Sequence, residues 1–348
     1  MKKEMLPLTG KWYKGNLHCH TTNSDGSLTP GQVVDLYGKH GYSFLCLSEH
    51  DVYTDLRTEL NKENFILLPG VEASAWLLRV GGINEAYKLT QKKRTFPELV
   101  DYLCHAKAGL IKTHHIHGIL GTDAMQKAAG DKLIQPGEQL IPHIYLDSWN
   151  GLHTAQKLSD TLRSRGLFTT YNHPVWSRVD VEELTDLQSF WALEVYNYGT
   201  QIECGEGKGE VFWDAMLRKG IHIHSFASDD NHNHSHLFDS LGGWVCVRAE
   251  ELTHETIVRH LLAGEYYSST GPQIYQWGID EDTVSIQCSD VTRIHFITGG
   301  GVGASKTVLR NAGSLTGAFH CLRGDETYVR IECEDEVGRI AWTNVLWL

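Results

Sequence analysis

The sequence predicts an α/β barrel, or a distorted relative of one, followed by a small antiparallel β-sandwich. Three observations in the 348 residues support this fold class. Short apolar runs end in polar, chemically capable residues, helical segments lie between many of these runs, and the pattern changes after the sequence SSTGP at 268–272. We therefore predict a barrel domain over residues 1–272 and a β-sandwich domain over residues 273–348.

The predicted strands of the barrel are apolar runs that close on polar side chains. They lie at 15–20, 42–51, 65–74, 109–118, 166–174, 190–197 and 221–230. The predicted helices cover 30–41, 95–109, 154–166 and 209–220, and each ends at a glycine. The first begins after Thr29, with Pro30 near its first turn. Alternating strands and helices indicate a parallel sheet with crossovers, and polar strand ends indicate a site on that face of a barrel.

The tail at 273–348 alternates apolar and polar side chains, and no amphipathic helix stands out in it. Segments such as TVSIQCS, RIHFITG and TYVRIECED are separated by Gly, Asp and Asn turns. This alternation predicts an antiparallel β-sandwich of ~75 residues.

Composition and charge restrict the class of protein. The formal net charge of −12, from 31 Lys and Arg against 43 Asp and Glu, argues against binding long nucleic acids. A small anionic substrate stays compatible with this balance, because bound metal ions would change the local field. No run approaches ~18 apolar residues and no secretory apolar region follows the N-terminus, so we predict neither a membrane span nor a signal peptide.

The eight cysteines are scattered and include no CxxC pair. This usage fits reduced thiols better than a disulfide framework or a cysteine-type zinc site. We therefore predict a cytoplasmic protein. Oligomerisation is compatible with the sequence but not indicated by it.

Histidines and carboxylates recur at the ends of the predicted strands. The motifs are HCH followed by Asp25, then EHD at 49–51, GVE at 70–72, HP at 173–174 and DDNH at 229–232. Positions i and i+2 of a strand share a face, so both histidines of HCH point the same way. Imidazoles with carboxylates and no thiolate suit Zn, Mn or Fe. One HxH pair is weak evidence, but the joint occurrence of these motifs predicts a metal centre.

The order of these motifs resembles the PHP superfamily, named for polymerase and histidinol phosphatase domains, over essentially the whole chain. The sequences WYKGNLHCHTTNSDGSLTP, LEVYN, GGWV and YYSSTGP are similar to the branch that includes carbamate hydrolases (CehA/McbA-like). The resemblance implies a distorted (β/α)7 barrel with two or three divalent metal ions at the strand ends, and with Glu72 bridging two of them. The implied ligands are His18, His20, Asp25, His50, Glu72, His115, His173, Asp230 and His232.

Two of these ligand positions have alternatives. In KTHHIHG the ligand is His114, His115 or His117, and HIHG matches the family pattern best with His115. In SDD it is Asp229 or Asp230, and the DxH spacing favours Asp230. The insertion between the GVE motif and KTHHIHG is longer than the resemblance leads us to expect, so we expect it to reshape the substrate pocket.

Other residues are candidates for catalysis or substrate binding. Asp51 is expected to act as a general acid or base, or to hydrogen-bond a ligand, with a helix N-cap as an equal alternative. His232 is a catalytic candidate as well as a ligand. Arg178 is a candidate clamp for a phosphate oxygen, although a plain surface arginine is the commoner case, and Trp176 is a candidate apolar wall.

Bound divalent ions determine the expected chemistry. They lower the pKa of water toward ~7, so hydroxide exists at neutral pH, and two ions ~3.5–4 Å apart also polarise the electrophilic oxygen. Three such ions against three carboxylates leave a local positive excess, so we expect a phosphoesterase that acts on a small phosphoester. The alternatives are a carbamate, amide or ester hydrolase with the same site, an oligonucleotide exonuclease, which the acidic balance disfavours, and a non-catalytic binding protein.

Overall fold

The computed structural model describes residues 2–79 and 109–348, and within them the architecture is mixed α/β. The first strands are β1 (Lys2–Glu4), β2 (Lys11–Asn16), β3 (Phe44–Leu47), β4 (Ile66–Arg79), β5 (Gly109–Leu120), β6 (His143–Leu146), β7 (Leu167–Tyr171), β8 (Ala192–Asn197), β9 (His224–Ser228), β10 (Trp244–Ala249) and β11 (Tyr266–Ser269). The last are β12 (Ile274–Asp280), β13 (Thr283–Val291), β14 (Arg293–Thr298), β15 (Lys306–Leu309), β16 (Leu315–Cys321), β17 (Tyr328–Glu334), β18 (Ile340–Thr343) and β19 (Leu346–Trp347).

The α-helices of the described residues are α1 (Pro30–Lys39), α2 (Arg57–Leu60), α3 (Asp123–Ala129), α4 (Gly151–Arg163), α5 (Tyr198–Cys204), α6 (Glu210–Arg218) and α7 (His254–Ala263). Two 3-10 helices lie at Gly130–Lys132 and Val181–Glu183. The helix predicted at 95–109 falls almost wholly outside the described residues. No helix in the described part of the chain has the length and apolarity needed to cross a membrane.

The large sheet carries the predicted barrel strands in the order β2-β3-β4-β5-β7-β8-β9. Pairing is parallel from β2 to β4 and from β7 to β9. β5 is antiparallel to both β4 and β7, which corrects the prediction of a parallel sheet at this strand. The reason is that β4 and β5 pair with each other as a long antiparallel ribbon, in which Gly70 lies opposite Ile119 and Arg79 lies opposite Gly109.

Backbone hydrogen bonds bring together the segments that follow β2 and β9. The amide of Asp230 donates to the carbonyl of His18 at 3.0 Å, and the amide of His20 donates to the carbonyl of Asn231 at 3.1 Å. The ends of the first and the last of these seven strands therefore lie side by side, and their polar residues meet at one edge.

The helices begin and pack for local reasons. At the start of α1, the Thr29 side chain accepts a hydrogen bond from the amide of Gln32 while the Gln32 side chain accepts one from the Thr29 amide, which makes a capping box. The faces of α4 and α6 that carry Leu158, Leu162 and Trp213 are buried in one apolar core with strands of the sheet. This packing holds the strand ends at fixed positions.

The tail is antiparallel, as its alternation predicted, but it is closely joined to the rest of the molecule. β12, β13 and β16 form a small sheet, in which β1 from the start of the chain pairs with β12. β14, β15, β17 and β18 extend the large sheet, because β18 pairs with β11. The domain boundary at residue 272 stays a prediction, and the structure adds that strands on both sides of it share one sheet.

Candidate metal centre

The nine ligands named from the sequence gather at one edge of the large sheet. Each follows or lies within a strand, except Asp25, which lies in the loop between β2 and α1. His18 and His20 follow β2, His50 follows β3, Glu72 lies in β4, His115 lies in β5, His173 follows β7, and Asp230 and His232 follow β9. Residues far apart in sequence thus form one cluster.

Glu72 lies at the centre of this cluster and is fully buried. Its Oε1 lies 3.3 Å from Nε2 of His18 and 3.3 Å from Nε2 of His173. Its Oε2 lies 3.0 Å from Nδ1 of His50 and 3.4 Å from Nδ1 of His115. One carboxylate therefore faces four imidazoles within 3.4 Å, two on each oxygen, as a bridging ligand would, and the rings of His20 and His117 lie slightly farther away, at 3.5 and 3.8 Å.

Asp230 makes a second convergence with the HCH pair. Its Oδ1 lies 2.9 Å from Nε2 of His18 and 3.0 Å from Nε2 of His20. The two imidazole nitrogens are 3.1 Å apart. The shared face predicted for these two histidines thus places both against one carboxylate oxygen.

A third convergence lies nearer to solvent, around Asp25. Oδ2 of Asp25 is 3.6 Å from Nε2 of His50, and Oδ1 is 3.4 Å from Nε2 of His232. Nδ1 of His20 is 4.0 Å from Oδ1. The side chains of Asp25 and His232 are 34% and 21% exposed, whereas those of the other seven candidate ligands are 10% exposed or less.

The donor set fits divalent metal ions. Ligand atoms lie within 4.8 Å of one another in four overlapping groups, formed by His20, Asp25, His50 and His232, by His18, Glu72 and His173, by His18, His20 and Asp230, and by His50, Glu72 and His115. Two buried carboxylate oxygens, Glu72 Oε2 and Asp230 Oδ1, have only imidazole nitrogens as close partners within the described part of the chain, and no hydroxyl, amide or backbone donor satisfies them. Burial of such oxygens is costly unless a cation lies beside them.

Two of the candidate ligands, His20 and Glu72, already have the protonation states that bind metal. Burial, together with the imidazoles of His50 and His232, lowers the pKa of His20 to about 3, so this ring is neutral and its nitrogen lone pair is free. Burial alone would raise the pKa of Glu72, but His115 and His18 outweigh it and hold that pKa well below its usual range. A neutral imidazole and an ionised carboxylate are the forms that bind metal.

Glu194, in the middle of β8, hydrogen-bonds two residues of the cluster. Its Oε1 accepts a hydrogen bond from Nδ1 of His18 at 2.9 Å, and its Oε2 accepts one from the amide of His173 at 2.8 Å. When Nδ1 of His18 donates to Glu194, a neutral ring presents an unprotonated Nε2 to Glu72 and Asp230. The motif LEVYN signals this residue, although a buried structural pair is the commoner meaning of such a glutamate.

Two asparagines complete this support and were not identified from the sequence. Asn172 Nδ2 donates to Glu72 Oε1 at 2.7 Å, and Asn197 Nδ2 donates to Asp230 Oδ2 at 3.0 Å. Each fixes the orientation of a carboxylate. Asn172 directly precedes His173, and Asn197 ends the LEVYN motif, but a single asparagine in either place carries little signal.

The structure separates the three histidines of KTHHIHG. His115 and His117 lie on the face of β5 that points to the cluster, whereas Nδ1 of His114 hydrogen-bonds the hydroxyl of Tyr171 and its ring stacks on Trp149. His115 joins a potential ligand group. His117 is buried beneath it, with its ring centroid 4.1 Å from that of His18, and joins none of the groups formed by described residues.

The two aspartates of SDD also have different surroundings. Asp229 accepts hydrogen bonds from the hydroxyl of Tyr37 at 2.6 Å and from the amides of Leu241, Gly242 and Gly243, each at 2.8 Å. Its oxygens are thereby occupied. Asp230 is the aspartate that faces the imidazoles.

The residues predicted for catalysis and substrate binding lie in different places. Asp51 is buried and accepts a hydrogen bond from the amide of Ser74 at 2.9 Å. Burial raises the pKa of Asp51 to about 7. It caps no described helix, because α2 begins after Leu56. Asp51 thus holds the backbone of β4 just beyond Glu72.

Arg178 does not line the cavity at the cluster. Its guanidinium forms an ion pair with Glu206 at 2.5 Å, and its side chain is 64% exposed. A role as phosphate clamp would require that pair to break. Trp176, in contrast, lines the cavity.

The backbone is strained at three positions beside the cluster. Asp51, His173 and Asp230 have φ values of 54°, 25° and 51°, in the left-handed region that side chains other than glycine rarely adopt. Such strain costs of order 1–3 kcal/mol per residue and persists where the surrounding structure enforces it. Here it directs two candidate ligands into the centre.

A cavity of about 440 Å³ opens onto the cluster. Six ligands line it, namely Asp25, His50, His115, His173, Asp230 and His232. The cluster is therefore accessible to a small molecule, and a substrate bound in the cavity would contact several potential ligands at once.

No family model and no curated relative matches the chain. A two-domain protein from Bacteroides vulgatus that contains a predicted PHP-like metal-dependent phosphoesterase is 14% identical, with a TM-score of 0.42, over 97% of this chain and 96% of that one. A Bifidobacterium adolescentis protein provisionally described as a metal-dependent phosphoesterase is 14% identical, with a TM-score of 0.36, over 66% and 89% of the two chains. An amidohydrolase from Chromobacterium violaceum is 16% identical, with a TM-score of 0.37, over 63% and 87%. These similarities are too low to assign a family, so the functional argument rests on the site itself.

Proposed function

We propose that this protein is a metal-dependent hydrolase of the PHP type, in which the seven strands β2-β3-β4-β5-β7-β8-β9 make a distorted barrel around two or three divalent ions of Zn, Mn or Fe. The observation that carries the proposal is the bridging position of Glu72, which faces four imidazoles within 3.4 Å. Purely structural ion pairs do not need four histidines around one buried carboxylate. The nine candidate ligands would hold the ions in overlapping groups.

We further propose that the substrate is a small phosphoester, most simply an anionic one. Bound divalent ions would lower the pKa of water and polarise the oxygen of the scissile group. In the hydrolysis, the oxygen of water bonds to phosphorus, the phosphorus–oxygen ester bond breaks, and the alcohol leaves with a proton. Concentrated positive charge at the site would favour binding of the phosphoryl group despite the acidic chain.

The residues of the chain have distinct roles in this proposal. Glu194 orients His18, and Asn172 and Asn197 orient the two central carboxylates. His232 lines the cavity and is the more exposed of the histidines around Asp25, so it would be a first contact for substrate. Asp51 would position the β4 backbone through Ser74 rather than transfer a proton to substrate.

The test is turnover of an aryl phosphate by protein loaded with Mn or Zn. We expect release of the phenol, competitive inhibition by inorganic phosphate, and at least two metal ions per chain by elemental analysis. His18→Ala should abolish turnover while the protein stays folded by circular dichroism. One ion or none after reconstitution would contradict the multinuclear site.

The second candidate is hydrolysis of a carbamate, amide or ester by the same site. The observation that favours it is the apolar lining of the cavity, where Trp76, Leu110, Trp176 and Leu237 contribute side chains. The pairing of Arg178 with Glu206 also removes the one arginine proposed as a phosphate clamp. Turnover of an aryl carbamate with aryl phosphates inert under every metal would make this candidate the function.

A further inference from the structure

The cavity beside the metal centre is lined by both apolar and polar side chains. The apolar ones are Trp76, Leu110, Trp176 and Leu237. The polar ones that are not candidate ligands include Thr200, Glu203, His234, His236 and Asp239. The apolar lining can take an apolar group of a molecule that also reaches the candidate ligands.

Trp176 is an apolar residue of the lining that packs against two of the candidate ligands. Its ring centroid lies 5.0 Å from that of His173, with the planes at 86°, and 5.7 Å from that of His115. A flat group that contacts Trp176 would therefore lie beside two of the ligands. A substrate group that stacks on this ring would therefore lie close to the reacting bond.

The position of Trp176 is set by the same turn that orients His173. The amide of Ser177 donates to the carbonyl of His173 at 3.1 Å, and Oγ of Ser177 lies 3.0 Å from Nδ1 of His173. Both contacts fix the turn of backbone on which Trp176 lies. Its place relative to the ligand is thus built into the fold, which a preorganised binding wall requires.

A second tryptophan of the lining lies on the strand that carries Glu72. Trp76 is four residues further along β4, so its side chain points to the same face as Glu72. Trp76 is buried, with 3% of its surface exposed, whereas Trp176 is only partly buried and supplies the indole surface that a ligand can contact. Aromatic rings bind flat apolar groups by burial and by offset or edge-to-face stacking.

We propose that Trp176 is a specificity-determining residue that seats a flat apolar substituent, most simply an aryl group, directly beside the scissile bond. This inference rests on the proposed function and narrows it to aryl esters of phosphoric or carbamic acid. Glu203 and Asp239 also line the cavity, and their negative charge would disfavour a second anionic group on the substrate. The substrate class is an amphipathic ester with one apolar arm.

The test compares two inhibitors that carry the same charged group and differ in the arm. Phenylphosphonate and methylphosphonate are titrated by calorimetry into the metal-loaded protein, its Trp176→Ala variant and its Trp176→Phe variant. We expect phenylphosphonate to bind the parent protein at least ~10-fold more tightly, which is about 1.4 kcal/mol. Trp176→Ala should remove most of this preference, Trp176→Phe should keep most of it, and methylphosphonate should bind all three alike.

Matched controls separate this role from a structural one. Trp149→Phe changes another tryptophan, one that stacks on His114 at the opposite face of β5, and it should leave the preference unchanged. Metal content is measured in every variant and should stay constant. If Trp176→Ala does not fold, Trp176→Leu replaces it, since leucine keeps apolar bulk without a ring face.

Two outcomes would overturn different claims. Equal binding of the two phosphonates, or a preference untouched by Trp176→Ala, would refute the inference while leaving the hydrolase intact. A second arm of the test compares the turnover of phenyl carbamate with that of methyl carbamate. The Trp176→Ala variant should lose the preference for the phenyl ester in this arm too. Failure of both phosphonates to bind, with phosphate and carbamate esters all inert, would refute the proposed function itself.

Discussion

The Glu72 side and the Asp25 side of the cluster contain the same kinds of group in different surroundings. Glu72 and His18 have no exposed surface, whereas the side chains of Asp25 and His232 are 34% and 21% exposed. The inner groups have no access to solvent, so only a cation or a proton can neutralise their carboxylates. The outer groups have water as an alternative partner.

This difference teaches that one cluster can hold ions of unequal affinity. An ion at the inner groups replaces an otherwise uncompensated buried charge, and its loss would be costly. When an ion leaves the outer group, water can hydrate Asp25 and His232 in its place, so its loss costs less. We therefore expect a tightly held inner ion and a more exchangeable outer one, and four measurements test this contrast.

The largest effect is expected from Glu72→Gln, because this carboxylate faces four imidazoles. Metal content should fall below one ion per chain, and turnover should fall by more than ~10³-fold, about 4 kcal/mol of transition-state stabilisation. Elemental analysis and steady-state kinetics measure both. The matched control is Glu326→Gln, which changes a buried carboxylate in the tail and should leave the metal content of the protein unchanged. A full metal complement in Glu72→Gln would contradict the inner bridging role.

Glu194→Gln should have the next largest effect, since it weakens the charged acceptor of His18 Nδ1 without removing a ligand. Metal affinity should fall by ~10–100-fold, as for other hydrogen-bonding partners of metal-bound histidines. Competition with a fluorescent chelator measures this. The control is Glu265→Gln, whose carboxylate pairs with His260 outside the cluster. Unchanged affinity in Glu194→Gln would mean that Glu194 is only structural.

Asp25→Asn should have a smaller effect, confined to the outer group. We expect the loss of one ion per chain, retention of the inner ion, and a decrease in turnover of roughly 10-fold, about 1.4 kcal/mol. Dialysis against graded chelator followed by elemental analysis resolves the two classes of ion. If Asp25→Asn removes as much metal as Glu72→Gln, the contrast between the two sides is wrong.

The smallest effect is expected on the pH dependence of the stability of the metal-free protein. Burial lowers the pKa of His232, but its hydrogen bond with Asp25 and the charge of Asp230 outweigh this and raise the pKa to about 10. Charged His232 therefore stabilises the fold fully below the unfolded pKa of ~6.5, and this contribution is lost as pH rises through about 10.

Thermal melts of chelator-treated protein at pH 7 and pH 10 measure this loss. The decrease in Tm over this range should be smaller by a few degrees in His232→Asn than in the parent, roughly what 1 kcal/mol produces in a protein of this size. His20→Asn is the control, because burial lowers the pKa of His20 to about 3 and the ring stays neutral throughout. Parallel curves for His232→Asn and the parent would exclude this linkage.

The candidate ligands could be predicted because strand periodicity and residue chemistry act together. His18 and His20 share a face by alternation alone, whereas the choice of His115 over His114 and His117 depended on the match of HIHG to the family pattern. Asp229 and Asp230 could not be separated so securely, since the amides of Leu241 to Gly243 that occupy Asp229 come from a loop with no recognisable motif.

Other features depend on partners that sequence does not reveal. Arg178 follows a promising motif, but its ion pair with Glu206 depends on where two loops meet. The reversal of β5 follows from a ribbon whose connection lies outside the described residues. The pairing of β1 with β12 was missed because an exposed three-residue strand has no apolar pattern.

The hydrogen bonds that join the ends of β2 and β9 have a consequence for the order of events during folding. The amide of Asp229 donates to Oδ1 of Asn16, a residue 213 positions earlier. Contacts of such separation require a large loop to close, which is slow and is rewarded only once the intervening core has formed. Metal affinity should consequently arise late and report completion of the core, unlike a zinc finger, where the ion organises a short local segment.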